Sequence, residues 1–284
     1  MDKKFLKSVL EVPSYSNFED KMIEFILNFC LKNDLQCDVK DKNVYITKGK
    51  VKKNEFYPCF TAHSDTVQYK QLPYVVYDEK IPLEETKNED GCTIYTSPNI
   101  GIGGDDKCGI AIILDILLIT PICKAVFFWG EEIGGKGSRH HVDLTFFEDV
   151  GWICGFDSPE FNRAAITCKG NRLFSKKFFK EYLKSLEIFG IDNWKHEPGT
   201  DVMILREKID LQMMNFGSGY WNQHTEEEYV VYEEVYDAVS LGLYLIEILG
   251  LTKYPFKRKK PILSYLKWAL KRAIRIWYKE NFKK

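Results

Sequence analysis

The sequence predicts an α/β domain with a mixed, parallel-centred sheet sandwiched by helices, and three observations carry that expectation. Residues 56–62 (FYPCFTA), 125–129 (AVFFW) and 152–156 (WICGF) are short apolar runs of the kind buried strands show. Longer stretches with apolar residues at helical spacing separate and follow them. Each run also stops where a ligand-type side chain begins: His63 after the first, Glu131 after the second and Gly130, Asp157 after the third. In open α/β sheets ligands gather outside the carboxyl ends of strands, so three such endings point to one site.

In chain order, residues 17–31 place Met22, Ile23, Phe25, Ile26, Phe29 and Cys30 on one side of an amphipathic helix. Residues 34–48 read as two short strands around a polar turn, and 56–62 as the first buried strand. The stretch 68–98 is polar, rich in turn formers and expected to be irregular. Residues 110–119 are long and apolar enough for a helix, followed by the strands at 125–129 and 152–156. A fourth strand is expected at 163–168, a helix over 172–188, and a helix packed on the sheet over 232–249.

A chain of 284 residues is near the upper limit for one hydrophobic core. Its 45% apolar share and 29% charged share are those of a globular protein. The opening MDKKFLKSVLEVPS lacks the apolar centre of a secretion signal. No apolar run approaches the ~20 residues that span a bilayer. The eight cysteines contain no CxxC pair and read as reduced, mostly buried thiols. A cytoplasmic setting is therefore expected. The net charge of −1 hides an asymmetry: from Lys253 onward twelve Lys and Arg face one acid, Glu280, which leaves the preceding body at −12.

Three clusters carry chemistry. In AHSDTV, His63 could bind a metal through one ring nitrogen while Asp65 orients the imidazole or anchors the site, although His-x-Asp is common by chance. In GIGGDDKCG, Asp105 and Asp106 open a helix. Helix capping is the ordinary explanation, and a metal-bridging carboxylate the functional one. No Lys-Ser/Thr pair or complete GxGxxG makes it a phosphate loop. In WGEEIGGKG, Glu131 and Glu132 are either an exposed loop pair or a metal ligand beside a base that takes a proton from water. Asp157 in GFDSP and His224 in WNQHTEEE complete the set. Asp201, in PGTDVMIL, reads as a helix cap near the site.

In this order AHSDTV, GGDDKCG, WGEEIGGKG, GFDSP, PGTDVMIL and NFGSGYWNQHTEEEYV resemble the co-catalytic zinc peptidases related to peptidase T. That group also includes acetylornithine deacetylases and carboxypeptidase G-like enzymes. The resemblance runs from about residue 8 to 250 and takes in PSYSNFE. It implies a three-layer α/β/α zinc-peptidase-like domain over residues 1–252 with two divalent ions, zinc first, cobalt or manganese otherwise. His63 and Asp157 would hold one ion, Glu132 and His224 the other, and Asp105 both. Asp65 would support His63. Glu131 would be the general base, then proton donor to the leaving amine. An Asp at position 157 resembles the aminopeptidases and dipeptidases, so the expected substrate is a small peptide with a free amino terminus. The rival readings are a deacylase of N-acyl amino acids and a silent binding protein on the same fold.

The sequence departs from the pattern in two places. Only 67 positions separate Asp157 from His224, too few for the lid or dimerisation domain that many relatives insert there. Substrate contacts must then come from the body, with Arg172, Tyr220, His140 and His141 as candidates. Residues 253–284 form a basic tail in which Leu263, Leu266, Leu270, Ile274 and Trp277 share helical spacing, with Lys267, Lys271, Arg275 and Lys279 on another face. Such a helix could dock on the acidic body, self-associate or lie on an anionic membrane surface. Nucleic acid comes last, since no base-reading motif is present.

Overall fold

The structure, a computed structural model, describes residues 1–67, 80–98 and 100–257. Helices α1 (Lys3–Leu10) and α2 (Asp20–Lys32) lead into the hairpin β1 (Gln36–Lys40) and β2 (Asn43–Lys48), then β3 (Tyr57–His63). Strands β4 (Glu84–Lys87) and β5 (Thr93–Thr96) precede α3 (Gly104–Ile119), β6 (Cys123–Phe128), α4 (Lys136–His140) and β7 (Val150–Ser158). There follow β8 (Arg163–Cys168), β9 (Asn171–Arg172), α5 (Lys176–Glu181), β10 (Asn193–Glu197), α6 (Asp201–Lys208), β11 (Met213–Gly217), β12 (Tyr220–Trp221), β13 (Tyr229–Val231) and α7 (Tyr232–Leu249).

The main sheet runs β1-β2-β6-β3-β7-β11-β8-β10, with β9 paired to β8. Its centre, β6-β3-β7-β11, is parallel, and β2 against β6 and β11 against β8 are antiparallel. The expected mixed, parallel-centred sheet is what forms. Helices α1, α3 and α7 pack together as one layer, and α4 and α6 as the other. The central strands are apolar throughout because both faces are covered: β3 and β6 have every residue buried. Helix α3 is sandwiched too, with Ile110 through Leu117 buried on all sides. Among the described residues no helix is long and apolar enough to cross a membrane.

Register positions the site. On β3, His63 lies opposite Phe128 of β6, and Thr61 lies opposite Gly155 of β7. Two residues beyond Thr61 and Gly155 stand His63 and Asp157, so these two are level on strands about 4.8 Å apart. Glu131 follows three residues after Phe128. The three apolar runs thus deliver their polar ends to one edge.

The strands expected at 163–168 and in 34–48 and the helix at 232–249 form where the sequence places them. Two expectations are corrected. The stretch 68–98 contains β4 and β5, which join β12 and β13 in a small antiparallel sheet, β12-β13-β5-β4. These strands have two to four residues, too few for alternation to stand out. The helix expected over 172–188 begins only at Lys176, because Arg172 is paired to Thr167 and Ser175 caps Phe178 N–H. It gives way to a 3-10 stretch, Leu183–Phe189, after Tyr182 leaves helical geometry at φ −121. Both forms bury Phe178, Leu183 and Leu186, so periodicity cannot separate them. All eight cysteines are free thiols, six of them buried, including Cys108 at the start of α3. From residue 258 on, the expected basic helix lies outside the described residues.

Candidate metal centre

His63 ends β3 with a side chain 1% exposed. Its Nδ1 is 2.8 Å from the backbone carbonyl of Asp65 and its Nε2 3.1 Å from Asp105 Oδ1. With Nδ1 donating to that carbonyl, Nε2 is the nitrogen free to bind an ion. The Asp65 carboxylate lies 3.5 Å from the same Nδ1 through Oδ1 and also holds the next turn: Oδ1 accepts the Glu131 N–H at 2.8 Å, and Oδ2 accepts the Glu132 N–H at 3.2 Å and the Ser16 hydroxyl at 2.7 Å. Asp65 therefore fixes the turn bearing both glutamates to the end of β3.

Asp105 and Asp106, joined by a cis peptide bond, have non-helical backbones at the start of α3. Asp106 is fully buried and accepts the N–H groups of His63 and Gly109. Gly109 has no room for a β-carbon, which would collide with the Asp106 carboxylate and the Phe156 carbonyl. Asp105 faces the other way. Its Oδ2 lies 3.2 Å from His224 Nε2, which is also 2.7 Å from Glu132 Oε1. Asp157 Oδ1 lies 3.7 Å from His63 Nε2.

Three groups of side chains have ligand atoms within 4.8 Å of one another: His63, Asp105 and Asp157; Asp105, Glu132 and His224; His63, Glu131 and Glu132. The first two share Asp105. All six residues read from the sequence as ligands or base meet here.

Electrostatics test whether a cation fits. Burial pushes the Asp157 carboxyl well above its ordinary value and that of Glu131 up to about 8, where Asp201, Glu132 and Asp105 add repulsion against the help of His63. His224 is pushed up to about 10 by Asp105 and Glu132. Burial alone would depress His63, but its contacts with Asp105, Asp157 and Asp65 raise it well above the ordinary range. Asp105 is buried too, yet the two imidazoles hold it low. Four carboxylates thus share one pocket, and among the described residues the two imidazoles beside them carry the positive charge. Removing a single carboxylate from water costs several kcal/mol when it is unpaired, so the donor set suits divalent cations better than protons. Two His nitrogens and carboxylate oxygens are ligands that zinc accepts.

Three residues near the cluster were not read from the sequence in these roles. Ser16, in PSYSNFE, braces Asp65, and Ser16 N–H donates to the Thr66 carbonyl. Glu228, 4% exposed, accepts the N–H groups of Gly103 and Asp105, and burial pushes it up to about 7. Asp201 opens α6 but caps nothing, since Thr200 holds the cap position without a side-chain bond. Both oxygens of Asp201 are buried without a well-formed hydrogen bond, the Ser138 hydroxyl beside them being turned to the Gly135 carbonyl. Burial and the charges of Asp157 and Asp65 push Asp201 up to about 7. A short buried acid after PGT signals proximity to the site, but sequence spacing cannot tell a cap from a buried neighbour.

The substrate candidates divide. Tyr220 is 1% exposed, packs against Gly104 and has its hydroxyl pushed well up by burial and by Asp105 and Asp157. Arg172 donates Nε to the Phe174 carbonyl and lines a hollow with Lys176, Phe179, Lys180 and Lys184. His140 and His141 meet edge to face at the exposed end of α4, with His141 near Asp41. The structure brings Tyr220 to the ligand cluster, and among the described residues no contact joins the other three to it.

No family model and no curated protein sequence matches the chain. Solved structures do. A tripeptidase from Staphylococcus aureus superposes with a TM-score of 0.66 at 13% identity, covering 87% of this chain and 97% of that one. Aminopeptidase PepT from Bacillus cereus gives 0.67 at 14%, covering 86% and 96%. The TET1 peptidase of Pyrococcus horikoshii gives 0.61 at 14%, covering 87% and 98%. At these identities the likeness is one of architecture, and the chain has the three-layer α/β/α fold that these peptidases share.

Proposed function

We propose that the protein hydrolyses the amide bond of a small peptide with a free amino terminus, in the manner of an aminopeptidase or dipeptidase, using two divalent ions. The observation that carries this is Asp105, shared by two ligand groups at the carboxyl edge of the sheet. His63 and Asp157 would hold one ion, Glu132 and His224 the other, with zinc first and cobalt or manganese as substitutes. Bound there, the ions would polarise the scissile carbonyl and lower the pKa of water from ~16 towards ~7.

The chain's own residues do the rest. Glu131, outside both groups that share Asp105, takes the proton of the attacking water and returns it to the leaving amine nitrogen. Asp65 holds the Glu131 and Glu132 N–H groups and so sets where that carboxylate points. Tyr220 is the residue we assign to the substrate carbonyl. The peptidase folds of the similar structures and the Asp at position 157 favour peptides over N-acyl amino acids. The deacylase and the silent binding protein are the alternatives.

The test is amine release from di- and tripeptides and from N-acetyl amino acids, with zinc- or cobalt-loaded protein beside its Glu131→Gln variant. Cleavage of free peptides that falls about 10²–10⁴-fold in the variant, with its metal retained, is the expected result. Cleavage of the acylated set alone moves the protein to the deacylases, and silence across the panel with metal bound leaves the binding protein.

The basic tail is proposed to act separately, on an anionic membrane surface or a second copy, in a cytoplasmic setting that the free thiols suit. The chain leaves the body at the opposite end of the sheet from the metal cluster. Leu251 accepts from Phe56 before β3, Tyr254 donates to Gly151 at the start of β7, and Gln212 before β11 donates to Tyr254. Truncation after Lys257, which keeps these contacts, should abolish vesicle binding without changing peptide hydrolysis.

A further inference from the structure

Two segments that are distant in sequence meet beside Asp105. Gly101 through Asp105 lies against residues 220–230, which carry His224 and strands β12 and β13. A β-carbon on Gly101 would fall 2.9 Å from the Thr225 carbonyl oxygen and 3.1 Å from Glu228 Oε2. One on Gly104 would fall 2.7 Å from Tyr220 Cβ and 2.8 Å from Val230. The glycines of GIGG thus allow two backbones to approach closely. Glu228 joins them: its Oε2 accepts the Gly103 N–H at 2.7 Å and its Oε1 accepts the Asp105 N–H at 3.1 Å.

A buried acid next to Asp105 and Asp106 is a costly choice, and the geometry explains it. Two N–H groups arrive at two different oxygens. A carboxylate accepts at both, whereas an amide has one acceptor and would turn N–H against N–H at the other. Lys107, 2% exposed and bonded to the Leu10 and Ile102 carbonyls, supplies the nearby positive charge. Four residues before Glu228, on the loop between β12 and β13, stands His224.

We propose that Glu228 is a positioning residue that sets Asp105 relative to His224 and thereby builds the metal position made by Asp105, Glu132 and His224. This rests on the two-metal reading above. Residues that hold metal ligands in place typically change metal affinity about 10- to 100-fold when lost.

The experiment is cobalt(II) titration of the metal-free full chain, wild type beside Glu228→Gln, read by visible absorption and by bound cobalt in equilibrium dialysis, with thermal unfolding of the metal-free proteins alongside. The wild type should bind two ions. Glu228→Gln should bind the first as the wild type does and the second at least tenfold more weakly, with an altered absorption band. Glu228→Asp, which keeps the charge but draws the oxygens back, should weaken the second ion too and serves if the amide variant does not fold. Two ions bound with unchanged affinity and spectrum in the variants, whatever their melting temperatures, would make Glu228 a merely structural acid and overturn the assignment. A wild-type chain that takes up no cobalt would overturn the metal reading and this one with it.

Discussion

The two halves of the candidate metal site are built differently. His63 and Asp157 stand on adjacent parallel strands at matched register, with side chains 1% and 11% exposed. Glu132 and His224 stand on turns, and His224 has φ +61 and a side chain 46% exposed. The strand-borne half inherits its geometry from the ladder between β3 and β7, which the apolar core enforces. The loop-borne half has no ladder, and its geometry depends on carboxylates that grip backbone N–H groups: Asp65 on the Glu131–Glu132 turn and Glu228 on the Asp105 turn. Pre-organised ligands bind more tightly than ligands that must first be ordered. The half on strands should therefore fill first and empty last.

The severest way to break this comparison is to remove what the halves share. Asp105→Ala should lower hydrolysis by about 10⁴-fold or more, as losing one member of a catalytic unit does, and should lower total bound zinc measured on the dialysed protein. Two zinc ions per chain after dialysis would mean that Asp105 bridges nothing.

Next in size is the difference between the two histidines. His63→Ala leaves the buried carboxylates of Asp105 and Asp157 without their cation and should destabilise the metal-free chain by about 3–5 kcal/mol, as breaking a buried pair does. His224→Ala breaks contacts to the same Asp105, but from a half-exposed side chain whose charge solvent screens, and should cost less than His63→Ala. Denaturant unfolding of both variants decides it, and equal losses would erase the distinction between strand and loop.

Smaller again is a pH effect confined to the metal-free chain. Glu131 rises from an ordinary 4.5 to about 8 on folding, and His224 from 6.5 to about 10. Folding thus takes up protons at both groups. Stability from Glu131 is fully present below pH 4.5 and lost as pH rises through about 8, and that from His224 is present below 6.5 and lost through about 10. The metal-free chain should therefore unfold at progressively lower temperature from about pH 4.5 to about pH 10, most steeply between 6.5 and 8 where both groups titrate. Bound cations would replace the protons and flatten that slope, so a scan with and without zinc checks both statements.

The same division decides what could be read in the sequence. His63, Glu131 and Asp157 were legible because a buried strand in a parallel sheet is an apolar run, and its end is marked by the first polar side chain. Asp105 and His224 needed the order of all the motifs, since a capped helix start and a loop histidine look alike one at a time. Glu228, Asp201 and Ser16 were not legible in their observed roles. Glu228 is one of three consecutive glutamates, and only the closure of the small sheet against Gly101–Asp105 singles it out. That sheet was itself invisible, its strands being too short to show a period. Arg172 was misleading for a related reason: hairpin pairing with Thr167 turns its guanidinium to the Phe174 carbonyl, a contact no local pattern encodes.

The smallest effect expected tests redundancy within the loop-borne half. Asp65 accepts three hydrogen bonds, from Ser16 and from the Glu131 and Glu132 N–H groups, whereas Glu228 accepts two. Ser16→Ala removes one bond to a charged acceptor, worth about 1.5–3 kcal/mol at most, but leaves both backbone donors in place. The turn bearing Glu131 should keep its position, so stability should fall modestly while kcat changes less than about threefold, a shift of under 1 kcal/mol in the barrier. A far larger loss of kcat at unchanged stability would mean that the Ser16 hydroxyl sets the aim of Glu131 through Asp65. The Glu131–Glu132 turn would then hang on a single loop contact, and its contrast with the strand-borne half would be sharper.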